Sequence, residues 1–302
     1  MNDTILINTI SEAHEIMNLE KPKHPLVSFY LHEEIDFSVV PSNSKIRLDL
    51  YHIMFKKGVS GSFGYGRNKY DFQDGTIVFT SPGQVMHMDH NYDLSKASGW
   101  SLMFHPDLIR RSELGKHIDQ YNFFSYDVHE ALHLSNDEVE TISELTNKIV
   151  KEYSQNIDRH SQKLIVSNIE LIMDYCTRYY DRQFYTRTNM NKDIVSRFID
   201  LLKSYYSSEK PLEAGLPTVK YCGDELNMSP NYLSDLLKKE TGRNAQDHIH
   251  LYLVDKAKTQ LLNSSEPVSQ IAYGLGFEYP QHFSKLFKKK TGMSPLKYRS
   301  LN

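Results

Sequence analysis

Two sets of polar side chains, spaced as a helix spaces them and fifty residues apart, carry most of the chemistry open to this chain. Gln281, His282, Ser284, Lys285, Lys288 and Lys289 form one set, and Asn231, Tyr232, Ser234, Asp235, Lys238 and Lys239 form the other. Amides, hydroxyls and ammonium groups on one helical face can donate to and accept from base edges, while lysines at the helix end meet phosphates. Lys285 stands mid-helix, where an ammonium reaches guanine O6 and N7. Its equivalent in the other set is Asp235, which repels phosphate and can only accept from the amino group of cytosine or adenine.

The elements that must present these faces are two copies of one unit, residues 221–242 and 271–292. They share Pro230/Pro280, Ser234/Ser284, Leu236/Leu286, Lys238/Lys288, Lys239/Lys289, Thr241/Thr291 and Gly242/Gly292. A spacing this strict implies duplicated supersecondary structure. Each copy reads as a helix-turn-helix whose second helix opens at a proline, where the missing N–H is harmless. In the second copy Ile271 and Leu275 share a face, Ala272 fills the small-residue slot, Gly274 and Gly276 end the first helix, and Phe283, Leu286 and Phe287 point inward. In the first, Cys222 takes the small slot, Asn227 stands in the turn, Ser229 is the N-cap, and Leu233, Leu236 and Leu237 form the buried stripe. The recognition helices are therefore expected at 230–240 and 280–290. Between the copies, Ile249, Leu253, Ala257 and Leu261 make an i+4 row predicting a helix over 245–262. At about 1.5 Å per residue it spans about 30 Å, near the spacing of about 34 Å between adjacent major grooves, and reads as a ruler.

Over about the last 105 residues the chain resembles the AraC family of bacterial transcription regulators. The motifs that carry the resemblance are Ser229-Pro-Asn-Tyr-Leu-Ser, Lys238-Lys-Glu-Thr-Gly, Ile271-Ala, Gly276-Phe, His282-Phe-Ser-Lys-Leu-Phe-Lys and Thr291-Gly-Met-Ser-Pro-Leu-Lys-Tyr-Arg299. The resemblance implies paired recognition helices in successive major grooves of double-stranded DNA and control of transcription initiation, with RNA polymerase as a partner. Two departures stand out: Asp235 and Tyr252 occupy positions that are often Arg in the family.

Charge follows the same division. Net charge is −3 overall, yet residues 193–302 hold 15 basic against 12 acidic side chains and residues 1–192 hold 20 against 26. Residues 281–302 hold six basic and no acidic side chains, which places Lys288, Lys289 and Lys290 among the expected phosphate contacts. With 302 residues the prior is two domains. The absence of an apolar run of about 18 residues, and an N-terminus bearing Asp3 and Glu12 without a signal pattern, lead to a cytoplasmic expectation with no membrane partner. Cys176 and Cys222 suit a reducing compartment, lack metal spacing, and read as small core residues.

The front half reads as β segments at 26–31, 46–55, 62–65, 76–80 and 100–104, with Gly61, Gly64 and Gly66 at bends. Asp74 to Gly83, followed by His87 and Asn91, resembles the second half of a cupin barrel motif. The first half of that motif should supply His-x-His and a carboxylate, and Ser62-Phe-Gly-Tyr-Gly-Arg67 does not, so no metal or other cofactor is expected. His87, Tyr65 and Trp100 are candidate effector contacts, weighed against ordinary rim and core roles. Two helices follow. Residues 137–153 carry Val139, Ile142, Leu145, Ile149 and Tyr153 on one stripe. Residues 161–180 are apolar on two, Ile165, Ile169, Ile172, Cys176 and Tyr179 on one and Leu164, Leu171 and Tyr175 on the other, so one stripe could meet a sister subunit in a homodimer.

The expected fold is thus α+β: a cupin-like regulatory β-barrel over 1–135, a helical pair over 136–181, a linker over 182–192, and an all-α tandem helix-turn-helix domain over 193–302. The expected function is a sequence-specific, non-enzymatic transcription regulator, with a small-molecule effector as a partner of the front domain. Two alternatives stand beside it: an orphan regulator without effector, and a cupin-like enzyme fused to a DNA module, for which no paired carboxylates or nucleophile elbow are present.

Overall fold

The structure, a computed structural model, describes residues 4–36, 45–57, 75–87, 98–127, 130–155, 158–186 and 188–300. The chain forms two compact units, Met1–Gln183 and Phe184–Asn302. Among the described residues no helix is long and apolar enough to cross a membrane.

The first unit opens with β1 (Thr4–Ile7) and α1 (Ile10–Ile16), whose first turn is fixed by a capping box between Thr9 and Glu12. Then come β2 (Val27–Leu31), β3 (Lys45–Leu48), β4 (Tyr51–Lys57), β5 (Thr76–Thr80), β6 (Gln84–His87) and β7 (Ser98–Phe104). The short helices α2 (Pro106–Ile109) and α3 (Glu113–His117) lead to β8 (Leu132–His133), α4 (Asn136–Ser154) and α5 (Ser161–Thr186). The strands make two sheets, ordered β1-β3-β6 and β2-β7-β4-β5-β8. Among the described residues these ladders close no barrel. The expected strand over 46–55 is two strands in different sheets. Its alternation of exposed and buried residues holds through Leu50 and then breaks, because His52 and Ile53 in β4 are both buried, as in a strand covered on both faces. The strand expected at 62–65, the cluster Gly61, Gly64 and Gly66, and Asn91 lie outside the described residues.

The five-stranded sheet has one apolar face and one on which a polar cluster stands beside buried Met103. Ile53, Leu102, Phe104 and Ile77 on the first are fully buried or nearly so. Ser101, Tyr30, His52 and Thr80 stand on the second, since successive residues of a strand point to opposite sides. On α5 the stripe Ile165, Ile169, Ile172, Cys176 is fully buried within this unit, whereas Leu164 and Leu171 are 48% and 42% exposed. The isoleucine stripe is therefore core.

Residues 182–192, expected as a polar linker, are helical wherever described. Arg182 donates to Glu138 at 2.6 Å and to the His133 carbonyl at 2.7 Å, and buried Gln183 accepts from His133 N–H and donates to the Ala131 carbonyl. Polar side chains with partners like these belong inside a fold, so Arg182 and Gln183 are part of the first unit, and the division between the units falls after Gln183, within the expected run. The second unit continues with α6 (Thr188–Tyr206), α7 (Lys210–Ala214), α8 (Val219–Leu226), α9 (Pro230–Thr241), α10 (Ala245–Asn263), α11 (Val268–Gly274), α12 (Pro280–Thr291) and α13 (Pro295–Arg299). One core cluster joins Leu253, Val254, Ala257 and Leu261 of α10 to Ile271, Ala272, Phe283 and Phe287.

Candidate nucleic-acid interface

The first copy is built from α8 and α9. Thr218 caps α8 by accepting from Tyr221 N–H at 3.0 Å, and Cys222 fills the small slot with no exposure, burial pushing its thiol up to about 11. A Cβ on Gly223 would lie 2.5 Å from the Met228 carbonyl oxygen, so the turn folds directly against α8. Asn227 supplies the left-handed residue at φ 56°, as an Asn in a turn can. Ser229 accepts from Tyr232 N–H at 3.3 Å and Pro230 opens α9. Leu233, Leu236 and Leu237 are buried.

The second copy repeats the frame with other parts. Of the two glycines expected to end α11, only Gly276 has positive φ, at 92°. A Cβ there would lie 2.7 Å from the backbone carbon and oxygen of Gly215, so close approach and backbone angle both demand glycine. Pro280 opens α12 without a side-chain cap from Tyr279, and Phe283 and Phe287 are fully buried. Both recognition helices leave by the same device. Thr241 and Thr291 hydroxyls donate to the carbonyls of Leu237 and Phe287, and Gly242 and Gly292 take φ 76° and 82°. Asn244 and Ser294 then cap α10 and α13, which extends the repeat beyond the residues read from sequence.

On the outer face of α12, Gln281, His282, Lys285, Lys288 and Lys289 are exposed and Ser284 is half-buried. On α9, Asn231, Lys238 and Lys239 are exposed, while Ser234 and Asp235 are half-buried. Ser234 accepts from Ala245 N–H at 3.4 Å. Tyr232 departs from expectation. It is 4% exposed with its ring 5.1 Å from that of Phe184, because position 232 precedes Leu236 by one helical turn and so joins the buried stripe. Lys290 also leaves the expected basic run: it donates to Asp247 at 2.8 Å and holds that carboxyl below the usual carboxylate range. Tyr252 stacks on Tyr206 at 5.6 Å.

Of the effector candidates, Trp100 has a described side chain. Trp100 is 7% exposed and stacked 5.5 Å from Phe55 and 5.6 Å from Phe29, on the apolar face of the sheet. His87 contributes its backbone to β6 opposite Lys45, and Tyr65 lies outside the described residues. A polar cluster that sequence reasoning missed occupies the other face. His32 and His52 Nε2 atoms lie 3.0 and 2.8 Å from Ser101 Oγ. Burial pushes these imidazoles down to about 4 and about 3, with the Lys56 charge adding to it, and raises the Tyr30 phenol. His52 Nδ1 and Thr80 Oγ1 are buried without a partner on directly opposed positions of β4 and β5. The sequence marks 46–55 and 100–104 as strands, but not that the side bearing His52 and Ser101 is covered.

Residues 222–300 match a family model described as a helix-turn-helix domain. The uncharacterized HTH-type transcriptional regulator YobQ of Bacillus subtilis is 32% identical over 83 residues, 28% of this chain and 34% of that protein. The HTH-type transcriptional activator RhaR of Escherichia coli K12 is 26% identical over 133 residues, 44% of this chain and 46% of that protein. The chain thus spans about a third to a half of the length of these relatives. Among solved structures, the C-terminal domain of AraT, a response regulator from Geobacillus stearothermophilus, is 30% identical over 36% of this chain and 85% of that chain, with a TM-score of 0.32.

Proposed function

From the premise that residues 222–300 are an AraC-type helix-turn-helix domain, we propose that the whole chain is a sequence-specific, DNA-binding regulator of transcription. The observation that carries this reading is the pair of recognition helices, α9 and α12, held in one repeated frame with their polar faces outward. In it Lys285 reads guanine, Asp235 accepts from a base amino group, and Asn231, Ser234, Gln281, His282 and Ser284 make further base or sugar contacts. Lys238, Lys239, Lys288 and Lys289 meet phosphates, and Tyr232 acts only by holding α9 in place. If about five phosphates are neutralised, log K of the full chain for duplex DNA falls with log salt at a slope of about −4 to −5, and a salt-independent affinity would refute the reading.

The front unit is read as a cupin-like regulatory domain that is not an enzyme, and the whole as a cytoplasmic protein working with RNA polymerase. Self-association is assigned to the exposed Leu164 and Leu171 of α5, one face two turns apart, in place of the buried isoleucines. Sedimentation of Leu171→Glu should show a smaller species than the wild type; a strictly monomeric wild type at micromolar concentration removes the assignment.

Effector control has its own observation in the polar sheet face. A neutral imidazole whose Nδ1 is buried and unpaired opposite an unpaired threonine hydroxyl suits a ligand that brings a hydroxyl there, a group that both donates and accepts. A melting-temperature screen of monosaccharides, polyols and phenols should find a compound that stabilises the full chain but not His52→Phe. If no member shifts the wild type, the orphan reading stands.

A further inference from the structure

Positions 240 and 290 are equivalent across the repeat, each just before the Thr-Gly exit of its recognition helix, and each is tied to a different helix. Glu240 accepts at 2.8 Å from Asn191 Nδ2 of α6, an amide 3% exposed that also donates to the Phe184 carbonyl at 2.7 Å. Lys290 donates at 2.8 Å to Asp247, the third residue of α10. The start of α10 is itself tied to the first copy. Ala245 N–H donates to Ser234 of α9, the Thr241 hydroxyl and His248 Nε2 are 2.7 Å apart, and Asn244 caps the turn by accepting from Asp247 N–H at 2.8 Å. Lys290 therefore bridges the end of α12 to the end of α9.

This bears on how the two helices are spaced. By length α10 would hold the copies about 28 Å apart, at about 1.5 Å per residue. Yet α12 folds back along it, with Phe283 and Phe287 packed in one cluster with its distal residues Leu253 to Leu261 and Lys290 reaching its first turn. The apolar contact holds the middle of α12, α13 returns past its end with Tyr298 on Phe287 and Arg299 donating to the Leu261 carbonyl, and the ion pair adds a charged tie from the end of α12 to the first turn of α10. Lys290, 23% exposed, stands apart from the exposed Lys288 and Lys289.

We propose that Lys290 and Asp247 are positioning residues that fix the setting of α12 against α9, and so select the half-site spacing the protein accepts, with Lys290 withdrawn from phosphate. This rests on the DNA-binding reading above. The test is full-length protein on duplexes in which the two selected half-sites are separated by a varied number of base pairs, with salt titrations at the best spacing. Wild type should favour one spacing. Lys290→Ala and Asp247→Asn should each lower that preference by about two- to fivefold, the effect of a partly exposed ion pair. Both should keep the wild-type salt slope, and the exchange Asp247→Lys with Lys290→Asp should restore the preference. Lys289→Ala, by contrast, should keep the spacing and make the slope shallower by about 0.9. A Lys290→Ala protein that behaves like Lys289→Ala overturns the proposal. Lys290→Met, which keeps the aliphatic stem, replaces it should the alanine variant melt early, and the same two readouts decide. A wild type that selects no DNA at all would sink the regulatory reading itself, which is a different outcome from unchanged spacing in a protein that binds.

Discussion

The two helix-turn-helix copies share a backbone frame and seven identical positions, and differ in their caps, turns and core side chains. The first uses a capped α9, an asparagine turn and a buried tyrosine; the second uses an uncapped α12, a glycine turn pressed on Gly215 and phenylalanines in its core. What they keep is the proline entry, the Ser, Leu and Lys-Lys positions within the helix, and the Thr-Gly exit. The lesson is that entry and exit chemistry define the motif, whereas the outer face is free to diverge into Asp235 on one helix and Lys285 on the other.

The largest expected asymmetry lies in the turns. Gly276→Ala must take a strained φ and also displace the backbone of Gly215, so it should cost about 3 kcal/mol or more in denaturant unfolding. Asn227→Ala must hold a left-handed angle at φ 56°, with a cost of about 1 to 2 kcal/mol. Equal losses would mean that the second turn is not specially braced.

Next comes the reading of bases. Lys285→Ala should weaken binding by about 1 to 3 kcal/mol and relax the preference at one base pair. Asp235→Ala should act in the opposite sense on nonspecific affinity, raising it by removing a negative charge, while discrimination in the first half-site is lost. Matched losses in the two variants would erase the contrast between the helices.

The smallest effects concern the caps. Ser229→Ala removes the bond to Tyr232 N–H and should lower stability by about 1 kcal/mol. Tyr279→Ser installs the cap that α12 lacks and should raise it by about 0.5 to 1 kcal/mol. Thermal melts of both variants show whether the copies differ in this way.

The second unit was largely legible because its signals are local. Pro230 and Pro280 mark entries, Gly242 and Gly292 exits, and the i+4 row of α10 is buried as read. What escaped depends on contacts far apart in the chain. Tyr232 looks like a surface residue until Phe184 covers it, and Lys290 looks like one more phosphate contact until Asp247, forty-three residues earlier, claims it. Arg182, at the start of the run 182–192, is polar for the same reason: its partners are Glu138 and His133. In the first unit, alternation revealed strands but not that Ile46 and His52 stand in different sheets, since sheet membership is decided by pairing partners that no local pattern names. Trp100 was placed between core and rim by its type alone, and the ring stack with Phe55 and Phe29 decides for the core.

The central claim, that both helices read DNA from one rigid frame, is tested most directly by selecting duplexes from a random pool with the full chain, beside Lys285→Ala and Asp235→Ala. The account predicts two separated blocks of preferred sequence at a fixed spacing, with Lys285→Ala blurring one block and Asp235→Ala the other. A single block, or two blocks that neither substitution alters, would contradict it.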